Sequence, residues 1–332
     1  MNYIGSKNKL SAFIQENIET VAGRDLSNKV FCDLFAGTGI VGRNFKTKVK
    51  KVISNDIEYY SYVLNRNYIG NHLPIQEKES LLSQLNSLEP VSGFIYRNYC
   101  LGGHGERQYF SDENGKKIDA IRTKIEAWKE SGEIDQSTYY FLLASLLESA
   151  DKVANTASVY GAYLKKLKKS AQKSLQVEAA HFDENENTHE VHHMDSNLLI
   201  EKIQGDILYL DPPYNSRQYG ANYHLLNTIA LYDDFTPKGK TGLRDYNRSE
   251  YCSKASVLRA FEELIAQADF EYTFLSYNNE GLMSLGQIEE VMSKYGRYHL
   301  VSTEYQRFRA DKEKNRNHKA NSTVEYLHIL KK

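Results

Sequence analysis

The segment DPPY (211–214) combines residue types that can hold a planar amine. It directly follows the apolar run ILYL, so its carboxylate lies where a buried strand is expected to end. A proline fixes its own φ near about −65° and keeps the residue before it in extended geometry. The segment is therefore predicted to be a rigid arm. It presents the Asp211 carboxylate and the Pro212 carbonyl as two fixed acceptors, with the Tyr214 ring beside them.

Such an arm suits the methylation of an exocyclic amine on adenine or cytosine. That nitrogen is a poor nucleophile because its lone pair is delocalised into the ring. Two acceptors on its two N–H bonds favour a pyramidal nitrogen, and they stabilise the positive charge that develops during attack on a methyl donor. Holding the nitrogen near the donor adds proximity and orientation. The alternative interpretation is a Pro-Pro turn that ends a strand beside a solvated aspartate.

A second motif, DLFAGTGIVG (33–42), has the spacing of a cofactor-binding turn. Gly37, Gly39 and Gly42 form the pattern GxGxxG after an apolar strand, and Asp56 ends the next strand nineteen residues after Gly37. This pattern is typical of dinucleotide sites, where glycines let the backbone approach the ligand and the acid binds ribose hydroxyls. A glycine-rich turn that only needs positive φ would give the same pattern.

The same turn can also hold S-adenosylmethionine, which has no pyrophosphate. This cofactor needs a close backbone approach, a carboxylate for its ribose and an acid near its positive charges. Asp33, at the start of the motif, would repel a pyrophosphate. The two motifs together therefore favour the methyl donor over a nicotinamide dinucleotide.

Hydrophobic patterns predict the elements that position both motifs. Apolar residues at helical spacing indicate helices over 8–22 and 256–267. Short apolar runs indicate strands over 29–37, 50–57, 205–210, 272–279, 298–305 and 322–330. Strands alternating with helices predict an α/β fold with an open, doubly wound parallel sheet. In such sheets ligands bind outside the carboxyl ends of the strands, where Asp33, Asp56 and Asp211 lie.

The pattern changes to a helical one between about residues 75 and 190. The predicted domains are therefore a sheet domain of residues 1–75 and 191–332 and a mainly helical insertion of residues 76–190.

The composition is that of a soluble globular protein. Of 332 residues, 41% are hydrophobic and 26% charged, with a net charge of −1, so a surface that binds nucleic acid must be locally basic. No apolar run is long enough to span a membrane and no secretory signal is present, which predicts a cytoplasmic protein. Cys32, Cys100 and Cys252 are predicted to be reduced thiols. No metal site is predicted, because the HHMD segment (192–195) has no second cluster of ligands.

In the type and order of these motifs the chain resembles the N6-adenine DNA methyltransferases of the Dam-like, alpha type. In that family an N-terminal element is followed by the cofactor turn, a recognition insertion and the DPPY motif, as here. The resemblance covers roughly residues 1–70 and 191–332, and segments of the insertion are similar to modification enzymes of type II restriction systems. It implies a class I S-adenosylmethionine-dependent methyltransferase with a Rossmann-like sheet. Such an enzyme methylates an adenine extruded from double-stranded DNA.

The resemblance also implies roles for individual residues. The catalytic group comprises Asp211, Pro212, Pro213 and Tyr214, with the tyrosine stacking on the extruded base. The cofactor group comprises Tyr3 and Lys7 at the methionine end, Asp33, Phe35, Ala36, Gly37, Thr38 and Gly39 in the turn, Asp56 at the ribose and Asp195 near the cofactor adenine.

Local basic residues are candidates for DNA contact. The KKLKK run, on a predicted helix, is interpreted as a phosphate-binding surface, with a solvated helix face as the alternative. Asn215, Arg217 and Tyr219, just after the DPPY arm, are candidates to close over the extruded base, with a surface turn as the alternative. The predicted DNA-binding residues are thus Lys165, Lys166, Lys168, Lys169 and Arg217. The oligomeric state stays open between a monomer and a weak dimer.

Other functions also stay open at this point. Cytosine-N4 methylation uses the same chemistry, although such enzymes more often have Ser in place of Asp211. RNA methylation is a third option, which the long helical insertion disfavours. An NAD-dependent dehydrogenase would leave the DPPY arm without a purpose. A non-catalytic nucleic-acid-binding module would bind DNA without transferring a methyl group.

Overall fold

A computed structural model describes residues 7–306 and 322–332. Their contacts divide the chain into two compact units. The sheet unit contains the described residues of 5–57, 185–218 and 247–332, and the helical unit contains those of 58–184 and 219–246.

The sheet unit is built on seven strands within the described residues. They are β1 (Val30–Asp33), β2 (Lys51–Asn55), β3 (Glu190–His192), β4 (Gln204–Leu210), β5 (Asp269–Asn278), β6 (Arg297–Gln306) and β7 (Ser322–Lys331). Their order is β3-β2-β1-β4-β5-β7-β6. The first five run parallel, while β7 is antiparallel to β5 and β6. This is the predicted open α/β sheet. The strand order reverses between β1 and β4, which creates the edge where such sheets bind ligands.

The α-helices of the described residues alternate with these strands or form the helical unit. In chain order they are α1 (Ser11–Ala22), α2 (Ile40–Lys46), α3 (Tyr59–Asn65), α4 (Lys78–Ser87), α5 (Phe94–Tyr99), α6 (Asp112–Glu130), α7 (Gln136–Val153), α8 (Ser196–Ile200), α9 (Tyr219–Asn222), α10 (His224–Leu231), α11 (Val257–Gln267) and α12 (Leu285–Ser293). A 3-10 turn, Lys7–Leu10, precedes α1. None of the helices in the described ranges is long and apolar enough to cross a membrane.

Alternation along the strands buries both faces of the sheet. Phe31 of β1 and Tyr209 of β4 lie on the face covered by α2, where the Phe31 ring stacks on Phe45 at 4.3 Å. The next residue of each strand, Cys32 or Leu210, points to the opposite face and joins an apolar cluster with α11 and α12. Burial on both faces explains why these strands appear in the sequence as continuous apolar runs.

The helical unit has an aromatic core, which accounts for part of the high tyrosine content of the chain. Several tyrosine side chains are completely buried there, and their rings contact one another in edge-on, tilted or stacked pairs. They are Tyr60, Tyr99, Tyr109, Tyr160 and Tyr223. The tyrosines are therefore used for packing within this unit, a use that composition alone does not reveal.

The limits of the helical unit differ from the predicted insertion of residues 76–190. The unit begins at Glu58, because α3 supplies Tyr60 and Val63 to its core. It also takes in residues 219–246, since α10 packs into the same core. Both segments follow the sheet motifs closely in sequence, and only their packing shows where they belong.

The KKLKK run is not helical, contrary to the sequence prediction. Residues 165–169 lie in bends and a turn, without regular secondary structure. The Asn155 side chain holds this segment: its Oδ1 accepts the Lys168 N–H at 3.0 Å and its Nδ2 donates to the Leu164 carbonyl at 2.9 Å. Such side-chain bonds to the backbone replace the bonds that a helix would make.

Candidate active site

The turn between β1 and α2 is shaped by glycines and held by two aspartates. Gly37 (φ 54°) and Gly39 (φ 75°) have left-handed backbone conformations, which residues with a Cβ rarely adopt. The Asp56 Oδ2 accepts the Gly37 N–H at 2.8 Å, and the Asp33 Oδ2 accepts the Gly42 N–H at 3.0 Å. Two of the acids predicted to bind the cofactor are therefore fixed beside the turn at the carboxyl ends of β1 and β2.

The DPPY arm leaves β4 at Asp211. Pro212 is buried, and Tyr214 is partly buried against the apolar cluster of α11 and α12. The N–H of Leu282, in the loop after β5, donates to the Tyr214 carbonyl at 3.0 Å. The arm is thus held at its far end as well as by its prolines.

Asp211 belongs to an ion-pair network with Lys7 and Glu325. The Lys7 Nζ lies 3.1 Å from Asp211 Oδ1 and 2.8 Å from Glu325 Oε1. The Ser276 hydroxyl donates to the same Glu325 oxygen at 2.9 Å. The side chains of Lys7 and Glu325 are only 6% and 7% exposed, whereas that of Asp211 is 19% exposed. Asp211 is therefore the charged member of this network that a substrate can reach most easily.

Burial and mutual repulsion shift the pKa values of these acids. Burial raises the pKa of Asp211 to about 6, although the Lys7 ammonium opposes the shift. Burial also raises the pKa of Asp33 to about 7, and the negative charges of Asp211 and Asp56 add to this effect. Burial would lower the pKa of Lys7, but the charges of Asp211 and Glu325 outweigh it and raise that pKa well above its ordinary value.

The remaining residues predicted in the cofactor turn lie in varied settings. The Phe35 ring packs edge-on against the Tyr251 ring at 5.0 Å between centroids. Ala36 is buried and Thr38 is partly exposed. Tyr3 lies outside the described residues, so its predicted contact with the cofactor stays a prediction.

Asp195 has a local structural role at the start of α8. Its Oδ1 accepts the backbone N–H groups of Asn197 and Leu198, which makes it the N-cap of the helix. The capping role is enough to account for an aspartate at this position, even if no ligand binds there. Its contact with the cofactor adenine stays a prediction. Within the described residues, no cluster of His, Cys, Asp or Glu has the arrangement of a metal site.

The predicted DNA-binding lysines differ in their availability. Lys165, Lys166 and Lys169 are exposed. The Lys168 Nζ instead donates to the Thr156 carbonyl at 2.8 Å. Three of the four lysines therefore present their ammonium groups to solvent, and the fourth makes a bond within the helical unit.

Arg217 is exposed in a side-chain-stabilised turn just after the DPPY arm. Its N–H donates to Asn215 Oδ1 at 3.0 Å, and its carbonyl accepts the Cys252 thiol at 3.5 Å. These contacts match the surface turn that the sequence left as an alternative. A contact with DNA stays a prediction.

The predicted site residues do not include Glu325, although one signal was available. Glu325 shares a face of β7 with Leu327 and Ile329, both of which are buried. An acid in the apolar row of a strand needs a partner of opposite charge. The sequence does not say that Lys7 is that partner, because the two residues lie at opposite ends of the chain.

Comparison with known proteins identifies this arrangement. The model of the D12 class N6 adenine-specific DNA methyltransferases matches residues 3–291. This chain belongs to that family. It is 68% identical to the type II methyltransferase M.NlaIII of Neisseria lactamica, over 100% of this chain and 99% of that protein. It is 40% identical to the type II methyltransferase M.CviAII of Paramecium bursaria Chlorella virus 1, over 93% of each.

A solved rRNA methylase from Streptococcus thermophilus is a more distant match. It aligns over 99% of this chain and 98% of its own, with 8% identity and a TM-score of 0.29. A likeness this low carries no information about the substrate.

Membership of the D12 class confirms the predicted fold and chemistry. The enzyme is an S-adenosylmethionine-dependent methyltransferase with a Rossmann-like sheet, and it methylates adenine N6 in DNA. The alternatives of cytosine-N4 or RNA methylation, of a dehydrogenase and of a non-catalytic module are therefore wrong.

The acids at the sheet edge fit this methyl donor. Asp56 and Asp211 lie close enough to Asp33 that their negative charges raise its pKa. A cationic ligand would relieve this repulsion, whereas an anionic pyrophosphate would increase it. The left-handed glycine turn lies between the carboxyl ends of the same strands. The charge and shape of this edge thus suit a sulfonium cofactor that also carries an ammonium group.

Proposed function

We propose that this D12 methyltransferase is the modification enzyme of a restriction-modification system and methylates adenines at a specific site in double-stranded DNA. The proposal is supported by the similarity to M.NlaIII, a type II methyltransferase, along the whole chain. The assignment of Asp211 as the catalytic aspartate rests on its position. It directly follows β4 at the ligand edge, in contact with Lys7, with its carboxylate partly accessible.

In the proposed mechanism, Asp211 and Pro212 act on the amino group of the target adenine. Their carboxylate and carbonyl oxygens accept its two N–H bonds and stabilise the positive charge that develops on the nitrogen. S-adenosylmethionine supplies an electrophilic sulfonium methyl group. As the N–C bond forms, the S–C bond breaks, and the methylated nitrogen then loses one proton to solvent. Asp211 acts as an ionised acceptor and does not need to be a strong base.

Tyr214 is proposed to stack on the extruded adenine. A base inside a duplex cannot reach the sheet edge, so the enzyme must turn it out of the helix. The bond from Leu282 to the Tyr214 carbonyl fixes the backbone from which the ring projects. A fixed backbone limits the entropy lost when the base stacks on the ring.

The cofactor is proposed to bind along the glycine turn. Asp56 accepts the ribose hydroxyls, Asp33 faces the positive charge, and the backbone of Gly37 and Gly39 allows close approach. The side chains of Asp33 and Asp56 are already oriented by backbone N–H groups of the turn. Such preorganisation lowers the entropic cost of binding.

The helical unit is proposed to recognise the DNA. It carries the exposed ammonium groups of Lys165, Lys166 and Lys169, in a chain with a net charge of only −1. Local positive charge of this kind attracts phosphates without specifying sequence. We propose that bases are read by other residues of the same unit and that the enzyme acts as a monomer or a weak dimer.

Transfer of a labelled methyl group into defined oligonucleotides tests this function. Mapping modified adenines across the genome of cells that express the enzyme first locates the recognised site. We then expect the labelled methyl group to be incorporated into duplexes that contain this site. Replacing the target adenine by 2-aminopurine, which lacks the N6 amine, should abolish the incorporation of the methyl group. Equal transfer to single strands would contradict the duplex assignment.

The variant Asp211→Asn tests the catalytic assignment. It keeps the shape of the side chain but removes the charge, and we expect the rate to fall by about 100-fold or more while cofactor binding persists. Asp269→Asn is a matched control, because Asp269 is an exposed acid at the start of β5. A wild-type rate for Asp211→Asn would refute the role of Asp211.

A further inference from the structure

Glu325 is a buried acid that the proposed mechanism does not use. It lies on β7 with 5% of its surface exposed, between Val324 and Tyr326 along the strand. Its Oε1 accepts a charge-assisted bond from Lys7 at 2.8 Å and a second bond from Ser276 at 2.9 Å. Both partners come from distant parts of the chain, the turn before α1 and strand β5.

Stability alone does not explain such a group. Removing a carboxylate from water costs several kcal/mol, and well-packed neutral side chains often serve a fold as well as a buried ion pair. Lys7 is moreover shared between two carboxylates, so the trio of Lys7, Asp211 and Glu325 has a net negative charge. An ammonium that only had to neutralise Asp211 would not need the second acid.

The second acid changes what Lys7 does to Asp211. A lysine paired with Asp211 alone would draw electron density from that carboxylate and weaken it as a hydrogen-bond acceptor. Glu325 takes one bond from the same ammonium and places a further negative charge near Asp211. Both effects make the Asp211 carboxylate a stronger acceptor for the N–H of a substrate.

The titratable groups around Asp211 agree with this division of roles. It is faced by Lys7 from the turn before α1, by Glu325 from β7, by Asp33 from β1 and by Tyr209 from β4. Burial raises the pKa of Asp211, the Lys7 charge lowers it, and the Glu325 charge raises it again. The carboxylate therefore stays ionised near neutral pH but remains more basic than Lys7 alone would leave it.

We propose that Glu325 is a positioning residue for methyl transfer: by sharing the Lys7 ammonium, it holds the Lys7–Asp211 pair in place and maintains Asp211 as a strong acceptor for the adenine amine. This inference rests on the proposed role of Asp211. Ser276 supports it by fixing the Glu325 carboxylate oxygen that Lys7 contacts.

The single-turnover rate of Glu325→Gln, measured from pH 5 to 9, tests the proposal. We expect a rate about tenfold lower than wild type at pH 8, similar to the lower end of the roughly 10- to 100-fold loss when a residue that orients a metal ligand is removed. We also expect the acidic limb of the pH profile to move to lower pH, because Asp211 loses a neighbouring negative charge. The dissociation constant of S-adenosylmethionine should change by less than about threefold.

The matched control is Glu304→Gln, which removes an exposed glutamate from the neighbouring strand β6. An effect of Glu325→Gln no larger than that of the control, or a limb that moves to higher pH, would overturn the proposal. A purely structural role would lower thermal stability without moving the limb.

A second variant keeps the test decisive if Glu325→Gln does not fold. Glu325→Asp retains the charge but shortens the side chain, so we expect a lower rate with an acidic limb close to that of wild type. A wild-type rate in this variant would also overturn the proposal. Asp211→Asn, assayed in parallel, separates the proposed role of Asp211 from that of Glu325. If Asp211→Asn keeps full activity, the proposed function fails. If Asp211→Asn is inactive while Glu325→Gln is unaffected, only the role of Glu325 fails.

Discussion

The Lys7 ammonium lies 3.1 Å from the Asp211 carboxylate, and together they join the turn before α1 to the end of β4. The contact keeps an acid charged in a setting that would otherwise favour its neutral form. Burial raises the pKa of Asp211, and Lys7 opposes that rise. An acceptor for an N–H bond must be ionised to be strong, so the pair links the fold of the N-terminal segment to the proposed chemistry.

The pH dependence of methyl transfer should report on Asp211. Its pKa is raised to about 6, so the carboxylate is ionised above that pH and protonated below it. We expect the single-turnover rate to fall about tenfold for each pH unit below this value and to level off above pH 7. The residual rate of Asp211→Asn should lack this limb. A flat wild-type profile between pH 5 and 8 would contradict the assignment.

Asp33 should make cofactor binding depend on pH. Its pKa is raised to about 7, and only the ionised form attracts a cationic ligand. We expect S-adenosylmethionine to bind more weakly as the pH falls through 7 and to release protons when it binds near that pH. Calorimetry in buffers of different ionisation enthalpy measures both effects. Asp33→Asn should weaken binding at pH 8 by about tenfold, or about 1.4 kcal/mol, and remove the pH dependence.

Asp56 should contribute to cofactor affinity rather than to the chemical step. Its carboxylate accepts the Gly37 N–H at 2.8 Å and is proposed to accept ribose hydroxyls as well. Asp56→Asn removes a charged acceptor, so we expect the dissociation constant of S-adenosylmethionine to rise by about 10-fold. The rate at saturating cofactor should change much less. An undiminished affinity would place the ribose elsewhere.

Tyr214 should act through its ring and not its hydroxyl. Tyr214→Phe is expected to keep most of the activity, whereas Tyr214→Ala should lose about 1–3 kcal/mol of stacking. A duplex with an abasic site opposite the target adenine lowers the cost of extrusion. Such a duplex should therefore restore part of the activity of Tyr214→Ala. Equal losses in the Phe and Ala variants would indicate a role for the hydroxyl instead.

Lys166 should contact phosphate without affecting sequence preference. Its side chain is exposed in the helical unit. For Lys166→Gln we expect DNA binding to weaken at all sequences and the slope of log K against log salt to decrease by about one. Lys129→Gln is the control, because Lys129 is exposed in the same unit but already pairs with Glu126 at 3.1 Å. An unchanged slope for Lys166→Gln would remove this residue from the interface.

The sequence indicated the sheet and its two motifs because both depend on local physics. Apolar runs predicted β4 and β5, since strands buried on both faces need continuous apolar residues. The prolines of DPPY fix their own backbone angles, and glycines are required where φ is 54° and 75°. The three-residue strand β3 was missed, because its residues Glu190–His192 are polar and only pairing with β2 makes them a strand.

The helical unit was harder to delimit for a related reason. Residues 219–246 follow the DPPY arm closely in sequence, yet α10 packs into the helical core. The KKLKK run has apolar and basic residues at helical spacing, but the Asn155 side chain holds it in another conformation. In both cases contacts outside the local helical pattern outweighed a preference that is worth only tenths of a kcal/mol per residue.

The sequence by itself determined which groups are present at the sheet edge: an acid, two prolines, a tyrosine and a glycine turn with its own two acids. Only the tertiary structure decided that Lys7 contacts Asp211 and that Glu325 shares the same ammonium. Charges interact through space, and their strength depends on burial and distance rather than on separation along the chain. The identity of the acceptors is therefore encoded locally, whereas their charge state depends on residues that the fold brings together.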